Sequence, residues 1–226
     1  MAKKSKILSW MVILCSYFIA VNVQAGGKQS VSQYRILDGT DSYGYTSVSS
    51  KYSTDSYRAK LNLPYISGYR GNSGLGNASI KLTYLSQWQN TFIDFNYRQK
   101  LATADKRLTV PARDTSTSIE LSRYLLNGII FVELGYTWRN VAQANLAKRK
   151  DGFYYSLGGI YPLIPKIHAG IVLDHKPTAL GRLDQSATLI AQYKMNQKQR
   201  VSMSFGAGLS SASPDYLLGL AWSTKF

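Results

Sequence analysis

One rhythm constrains this chain more than any other feature: apolar residues fall at every second position, segment after segment, up to the last residue. In Asp215–Phe226, Tyr216, Leu218, Leu220, Trp222 and Phe226 share one parity, interrupted by Thr224. Gly219, Ala221, Ser223 and Lys225 take the other, with Leu217 as the exception. Side chains alternate between two faces only in a β-strand, so this period of two excludes an amphipathic helix. The same alternation sets Val201, Met203, Phe205, Ala207 and Leu209 against Arg200, Ser202, Ser204, Gly206 and Gly208. It sets Ile130, Val132, Leu134, Tyr136 and Trp138 against Phe131, Glu133, Gly135, Thr137 and Arg139.

The rhythm predicts twelve strands, near 31–38, 44–52, 56–65, 77–85, 91–101, 115–124, 128–139, 152–162, 166–175, 185–195, 199–209 and 215–226. Links at 52–55, 86–90, 125–127, 163–165 and 196–198 are tight, whereas 66–76, 102–114, 140–151 and 176–184 are long. Short turns at one end and long loops at the other is the topology of an up-and-down barrel, and an even strand number returns both termini to one side. Ten strands remain open if the first two segments only fray.

The N-terminus points to export. Lys3, Lys4 and Lys6 precede an apolar stretch over 7–21, and Val23-Gln24-Ala25 has the small residues of a cleavage site. The stretch is too short and too interrupted, at Ser9 and Ser16, to be a spanning helix. Cys15 as a lipoprotein anchor is disfavoured because Leu14 stands where a small residue is needed. Residues 1–25 are therefore expected to be a cleaved signal peptide, and 26–226 a single domain without cysteine.

Alternation alone does not say which face is outside. A periplasmic β-sandwich uses it with apolar residues inward between two sheets. An exported chain whose strands end in aromatic residues fits the other sense, a transmembrane antiparallel β-barrel, since lipid tolerates only helices or closed barrels. The expected location is the Gram-negative outer membrane. The aromatic C-terminus, with Gly219, Trp222 and Phe226, is similar to the signal by which the barrel-assembly machinery recognises its clients.

Two stretches, Tyr57-Arg-Ala-Lys-Leu-Asn-Leu-Pro-Tyr65 and Ser73-Gly-Leu-Gly-Asn-Ala-Ser-Ile-Lys-Leu-Thr-Tyr84, resemble the "LSLPY…SGLGDLSLSASY" element of a family of small outer-membrane barrels. That family is grouped with transporters of phenol-degradation (MetA-type) pathways. The segments at 133–136 and 152–159 and the last strand follow in the same order. The chain departs from the pattern at Asn77, where the family favours Asp, and over 100–107, where a Pro-containing stretch is replaced. The resemblance implies a barrel that takes up a small solute, and it implies no catalytic residue.

Charge carries the functional expectation. The formal net charge is +15, and three of the lysines fall in the first 25 residues, so the remainder carries +12. On the polar parity, Arg58, Lys60, Lys81, Arg98, Lys194 and Arg200 are expected to line a lumen with Asp94, Glu120, Glu133, Asp174 and His168. Lys100 shares that parity. The long loops carry Arg70, Lys106, Arg107, Arg113, Lys148, Arg149, Lys150, Lys176 and Arg182. A low-dielectric wall of one sign concentrates counter-ions, which predicts a channel favouring small anionic solutes; the resemblance implies a small aromatic solute as the other option. The alternative is a closed structural barrel with struts such as Lys60 to a carboxylate or Arg98 to Glu120, its loops clamping lipopolysaccharide phosphates.

A lipid hydrolase is the third reading. It needs a nucleophile, a base and a group that orients the base. Only His168 and His175 offer imidazoles: His168 is placed in the lumen near the periplasmic end, His175 on the lipid parity near the outer rim. No serine or acid is paired with either by motif. No spacing suggests a metal or cofactor, and an exported chain without a basic helix argues against nucleic acid despite a pI near 9.8.

Overall fold

A computed structural model of the chain describes residues 27–108, 113–140, 150–178 and 180–226. The N-terminal segment expected to be a signal peptide lies outside the described residues, as do Lys148 and Arg149. Thirteen strands follow one another: β1 (Lys28–Asp38), β2 (Asp41–Ser53), β3 (Tyr57–Tyr69), β4 (Asn72–Leu75), β5 (Ser79–Trp88), β6 (Thr91–Lys100), β7 (Thr115–Leu125), β8 (Gly128–Trp138), β9 (Gly152–Ile164), β10 (Ile167–Pro177), β11 (Leu183–Lys194), β12 (Gln199–Gly208) and β13 (Tyr216–Lys225). All neighbours pair antiparallel, and β1 pairs with both β2 and β13, which closes the sheet into a barrel.

The wall has twelve strands because β4 and β5 both pair with the same edge of β3 and act as one interrupted strand. Between them the Gly76 amide donates to the Pro64 carbonyl. This corrects the expected long link over 66–76: β3 runs on to Tyr69 and turns at Arg70-Gly71, both left-handed (φ 47° and 75°), as a two-residue hairpin requires. Strand β1 starts at Lys28, three residues earlier than expected.

Burial is inverted relative to a soluble protein. Ser47, Ser49, Ser79, Thr83, Asn96, Ser118 and Ser156 are buried, whereas Leu134, Phe153, Leu189, Met203, Leu220 and Trp222 are exposed. Among the described residues the buried apolar side chains are Ala78, Ala104 and Leu108, all where the 101–108 loop docks. An exposed apolar belt this extensive has no place in water. It settles the sense of the alternation, with apolar residues outward and polar ones inward.

Two inward aromatic rings lie flat against the wall. The Tyr34 ring lies across Gly219 and the Tyr154 ring across Gly135; a Cβ on either glycine would come within 2.5 or 2.4 Å of a ring carbon. Glycine there lets a large inward aromatic lie flat against the next strand.

Candidate functional site: the charged lumen

Residues directly opposite in an antiparallel ladder point to the same face, so the register shows which side chains line up inside. Five inward cations form one unbroken row across neighbouring strands. Lys28 is level with Lys51, Lys51 with Lys60, Lys60 with Lys81 and Lys81 with Arg98. Adjacent strands lie about 5 Å apart, so the row presents a cation at each such step. Because barrel strands tilt, the row climbs obliquely. It starts at the β1–β2 end that carries the N-terminus and finishes near the loop end of β6.

A second row has the opposite sign. Asp94 is level with Glu120, Glu120 with Glu133, Glu133 with Ser156 and Ser156 with Asp174. The rows share β6 and diverge around the barrel, with cations on β1–β6 and carboxylates on β6–β10. Arg58, an inward cation one position from Lys60, donates to Asp94 at 3.2 Å across β5 and so links the two halves. Two of the other carboxylates accept from hydroxyls: Ser118 donates to Glu133 at 2.6 Å and Ser156 to Asp174. A third row of small polar residues, Ser223, Ser30, Ser49, Asn62 and Ser79, runs beside the cations.

The expected struts are corrected. Lys60 makes no ion pair among the described residues, and Arg98 reaches Ser79 at 3.5 Å instead of Glu120. Arg98 is level with Ser116, four residues along β6 from Asp94, the residue that is level with Glu120. The pairs that do form are Arg58–Asp94, Lys100–Asp114 at 3.0 Å and Lys176–Asp174 at 2.7 Å.

At the loop end the lumen opens into a cavity of about 390 Å³. Lys81, Arg98, Lys100, Arg139 and Lys176 line it, against Glu133 and Asp114. The 101–108 loop docks on the break between β4 and β5. Thr103 Oγ1 accepts from the Ala78 amide and donates to the Gly76 carbonyl, and Asn77 Oδ1 accepts from the Ala104 amide. The two departures from the family pattern, Asn77 and 100–107, thus meet in one contact. In the same loop, hydrogen bonds from the Arg107 side chain and amide hold the Asp105 carboxyl down at about 2.

At the opposite end, inward cations sit on six consecutive strands: Lys194 on β11, Arg200 on β12, Lys225 on β13, Lys28 on β1, Lys51 on β2, and Arg58 and Lys60 on β3. His168 lies one inward position above Lys194, level with Gln192. Sequence reasoning missed Lys28, Lys51 and Lys225. Lys51 and Lys225 were within reach of the parity argument; Lys28 fell before the expected start of the first strand.

Of the loop cations, Arg70 lies 3.8 Å from Asp41, Arg107 pairs with Asp105, and the Arg182 amide is held by Thr178. Lys106, Arg113 and Lys150 lie in the loops, but Lys176 is on β10 and faces inward, which corrects its loop placement. His175 faces outward as expected, stacked on Tyr155 with ring centroids 4.5 Å apart. A hydrogen bond of 3.0 Å joins its Nδ1 to the Gln185 amide nitrogen. Gly219 faces inward beneath Tyr34, Trp222 is exposed at the seam beside Val31, and the Phe226 amide donates to the Gly27 carbonyl.

No protein-family model and no curated protein matches the chain, so the MetA-type resemblance gains no support from sequence. The fold does have solved counterparts. An outer-membrane channel from Pseudomonas putida F1 superposes with a TM-score of 0.66 at 14% identity, over 89% of this chain and 96% of that one. The KdgM porin in complex with disordered oligogalacturonate superposes at 0.63 and 7% identity, over 87% and 99%. Outer membrane phospholipase A from Escherichia coli superposes at 0.57 and 10%, over 92% and 96%.

Proposed function

We propose that this chain is an outer-membrane channel whose lumen favours anionic solutes. The supporting observation is the row Lys28–Lys51–Lys60–Lys81–Arg98, which leads from one mouth toward the cavity at the other. Cations repeated along a low-dielectric wall hold a continuous positive potential and draw anions along it. The row of hydroxyls and one amide beside it offers hydrogen bonds to a polar solute. Two of the similar folds are a channel and a porin, and the porin was solved with oligogalacturonate, a chain of carboxylate-bearing sugars. A small anionic or aromatic solute remains the substrate class of this reading, and the MetA-type resemblance adds the aromatic option.

The exposed apolar belt supports insertion in the outer membrane, after cleavage of residues 1–25. Gly219, Trp222 and Phe226 are assigned to recognition by the assembly machinery; a chain lacking Phe226 should reach the surface at clearly lower levels than loop-charge variants. The phospholipase A fold keeps the hydrolase reading in view, but among the described residues His175 is stacked on Tyr155 and bonded to Gln185, with no serine hydroxyl hydrogen-bonded to its ring as an activated nucleophile requires. Purified barrel in a planar lipid bilayer should give discrete conductance steps. Silence at every voltage would favour a closed barrel that contacts lipopolysaccharide through its loops.

A further inference from the structure

Outside the barrel, one face breaks the rule that the other strands obey. On β1 the outward positions include Gln33 and Arg35, both exposed. On β2 they are Ser42, Gly44, Thr46 and Ser50, with Val48 and Tyr52. The register puts Thr46 beside Gln33 and Gly44 beside Arg35, so two neighbouring strands form one polar patch of small residues. Bulky apolar side chains flank it: Leu218 and Leu220 on β13, and Leu63 and Tyr65 on β3. The patch is therefore polar and recessed.

Its depth matters. Gln33 is level with Leu220, one outward position from Val31, which is level with Trp222. Arg35 is level with Leu218, one position from Leu37, which is level with Tyr216. Trp222 and Tyr216 mark the two aromatic margins of the belt, where interfacial rings settle. Gln33 thus faces the hydrocarbon, and neither it nor Arg35 has a hydrogen-bond or ion-pair partner among the described residues. Acyl chains cannot satisfy an amide; the Arg35 guanidinium can extend past the nearby Tyr216 margin, but the short Gln33 carboxamide cannot.

We infer that the β1–β2 outer face is the contact with a second copy of this chain. Two barrels inserted in the same sense and related by a two-fold axis along the membrane normal place equal depths together. Gln33 then meets the second copy's Gln33, and a carboxamide is its own complement, donating and accepting one hydrogen bond each way. Arg35 lies one outward position nearer the Tyr216 margin, from which its guanidinium extends to the membrane interface. Thr46 and Ser50 are small enough to let the walls approach closely, as packing in lipid needs. The inference stands whether or not the lumen conducts.

Oxidative cross-linking of Gln33→Cys in intact outer membranes tests this, with Leu134→Cys on the apolar face of β8 as the control; Cys15 is common to both. The expected result is a disulfide-linked dimer several-fold more abundant from Gln33→Cys. In mild detergent, native mass spectrometry of the unmutated protein should show a dimer. Gln33→Leu with Arg35→Leu should be monomeric yet keep the heat-dependent gel mobility of a closed barrel. Equal cross-linking at both sites, an unmutated protein that is monomeric, or a monomer that carries lipopolysaccharide lost in the double variant would each overturn the inference.

Discussion

The two charged halves of the lumen follow one construction rule with opposite signs. Both place ionisable residues at inward positions that adjacent strands bring level, and both climb obliquely. Yet Lys28 to Arg98 carries five cations in five strands, whereas Asp94 to Asp174 carries four carboxylates and a serine. The partners differ as well. The carboxylates accept from Ser118, Ser156, Arg58 and Lys176, while Lys60 stays unpaired among the described residues. On the proposed reading, carboxylates tied into the wall contribute less to the field than cations without an ion pair, which leave their potential to a solute. An excess of cations and an asymmetry in pairing point the same way, to anions.

The largest expected effect comes from inverting the basic half. Lys60→Glu with Lys81→Glu should lower the anion-to-cation permeability ratio by about tenfold, read from single-channel reversal potentials. An unchanged ratio would mean that the row does not face the permeation path. Glu120→Gln with Glu133→Gln should raise the ratio, by a smaller factor because Glu133 is already engaged by Ser118. A larger effect than that of the lysine pair would reverse the assignment of the two halves.

The junction between the halves should show in stability. Arg58→Met leaves the Asp94 carboxylate, with its side chain only 14% exposed, without its cation. That should cost about 1–2 kcal/mol, lowering the temperature at which the barrel changes gel mobility; no shift would show that water replaces the guanidinium.

The smallest effect concerns the 101–108 loop. The Asp105 carboxyl is held at about 2, below its ordinary value near 4. Its ionised form is favoured in the folded loop, so its contribution is full above about pH 4 and fades as pH falls toward 2. Loop protection in hydrogen exchange should be flat from neutral pH down to about 4 in the unmutated chain. Asp105→Asn should already be less protected at neutral pH. Early loss in the unmutated chain would contradict this.

Much of the wall was legible in the sequence because parity is a local property. Strand β8 was expected at 128–139 and runs to Trp138, and the ladder sets Glu120 and Glu133, both named from parity, level with each other. What failed was whatever depends on register. Arg98 and Glu120 look like partners on adjacent strands, but the ladder aligns Glu120 with Asp94. Lys28 escaped notice because β1 opens on Lys-Gln-Ser, without apolar residues to mark a strand. The polar outer face of β1 and β2 was hidden for the same reason: Gln33 and Arg35 occupy outward positions that apolar alternation assigns to the lumen. The split between β4 and β5 rests on a backbone bond from Gly76 to Pro64 that no side-chain pattern announces.

The central claim is that the unmutated lumen prefers anions, and the reversal potential of single channels under a KCl gradient tests it most directly. The account predicts a potential of the sign set by chloride crossing faster than potassium, diminishing as salt screens the wall. A potential of the opposite sign, from a barrel that conducts, would contradict it.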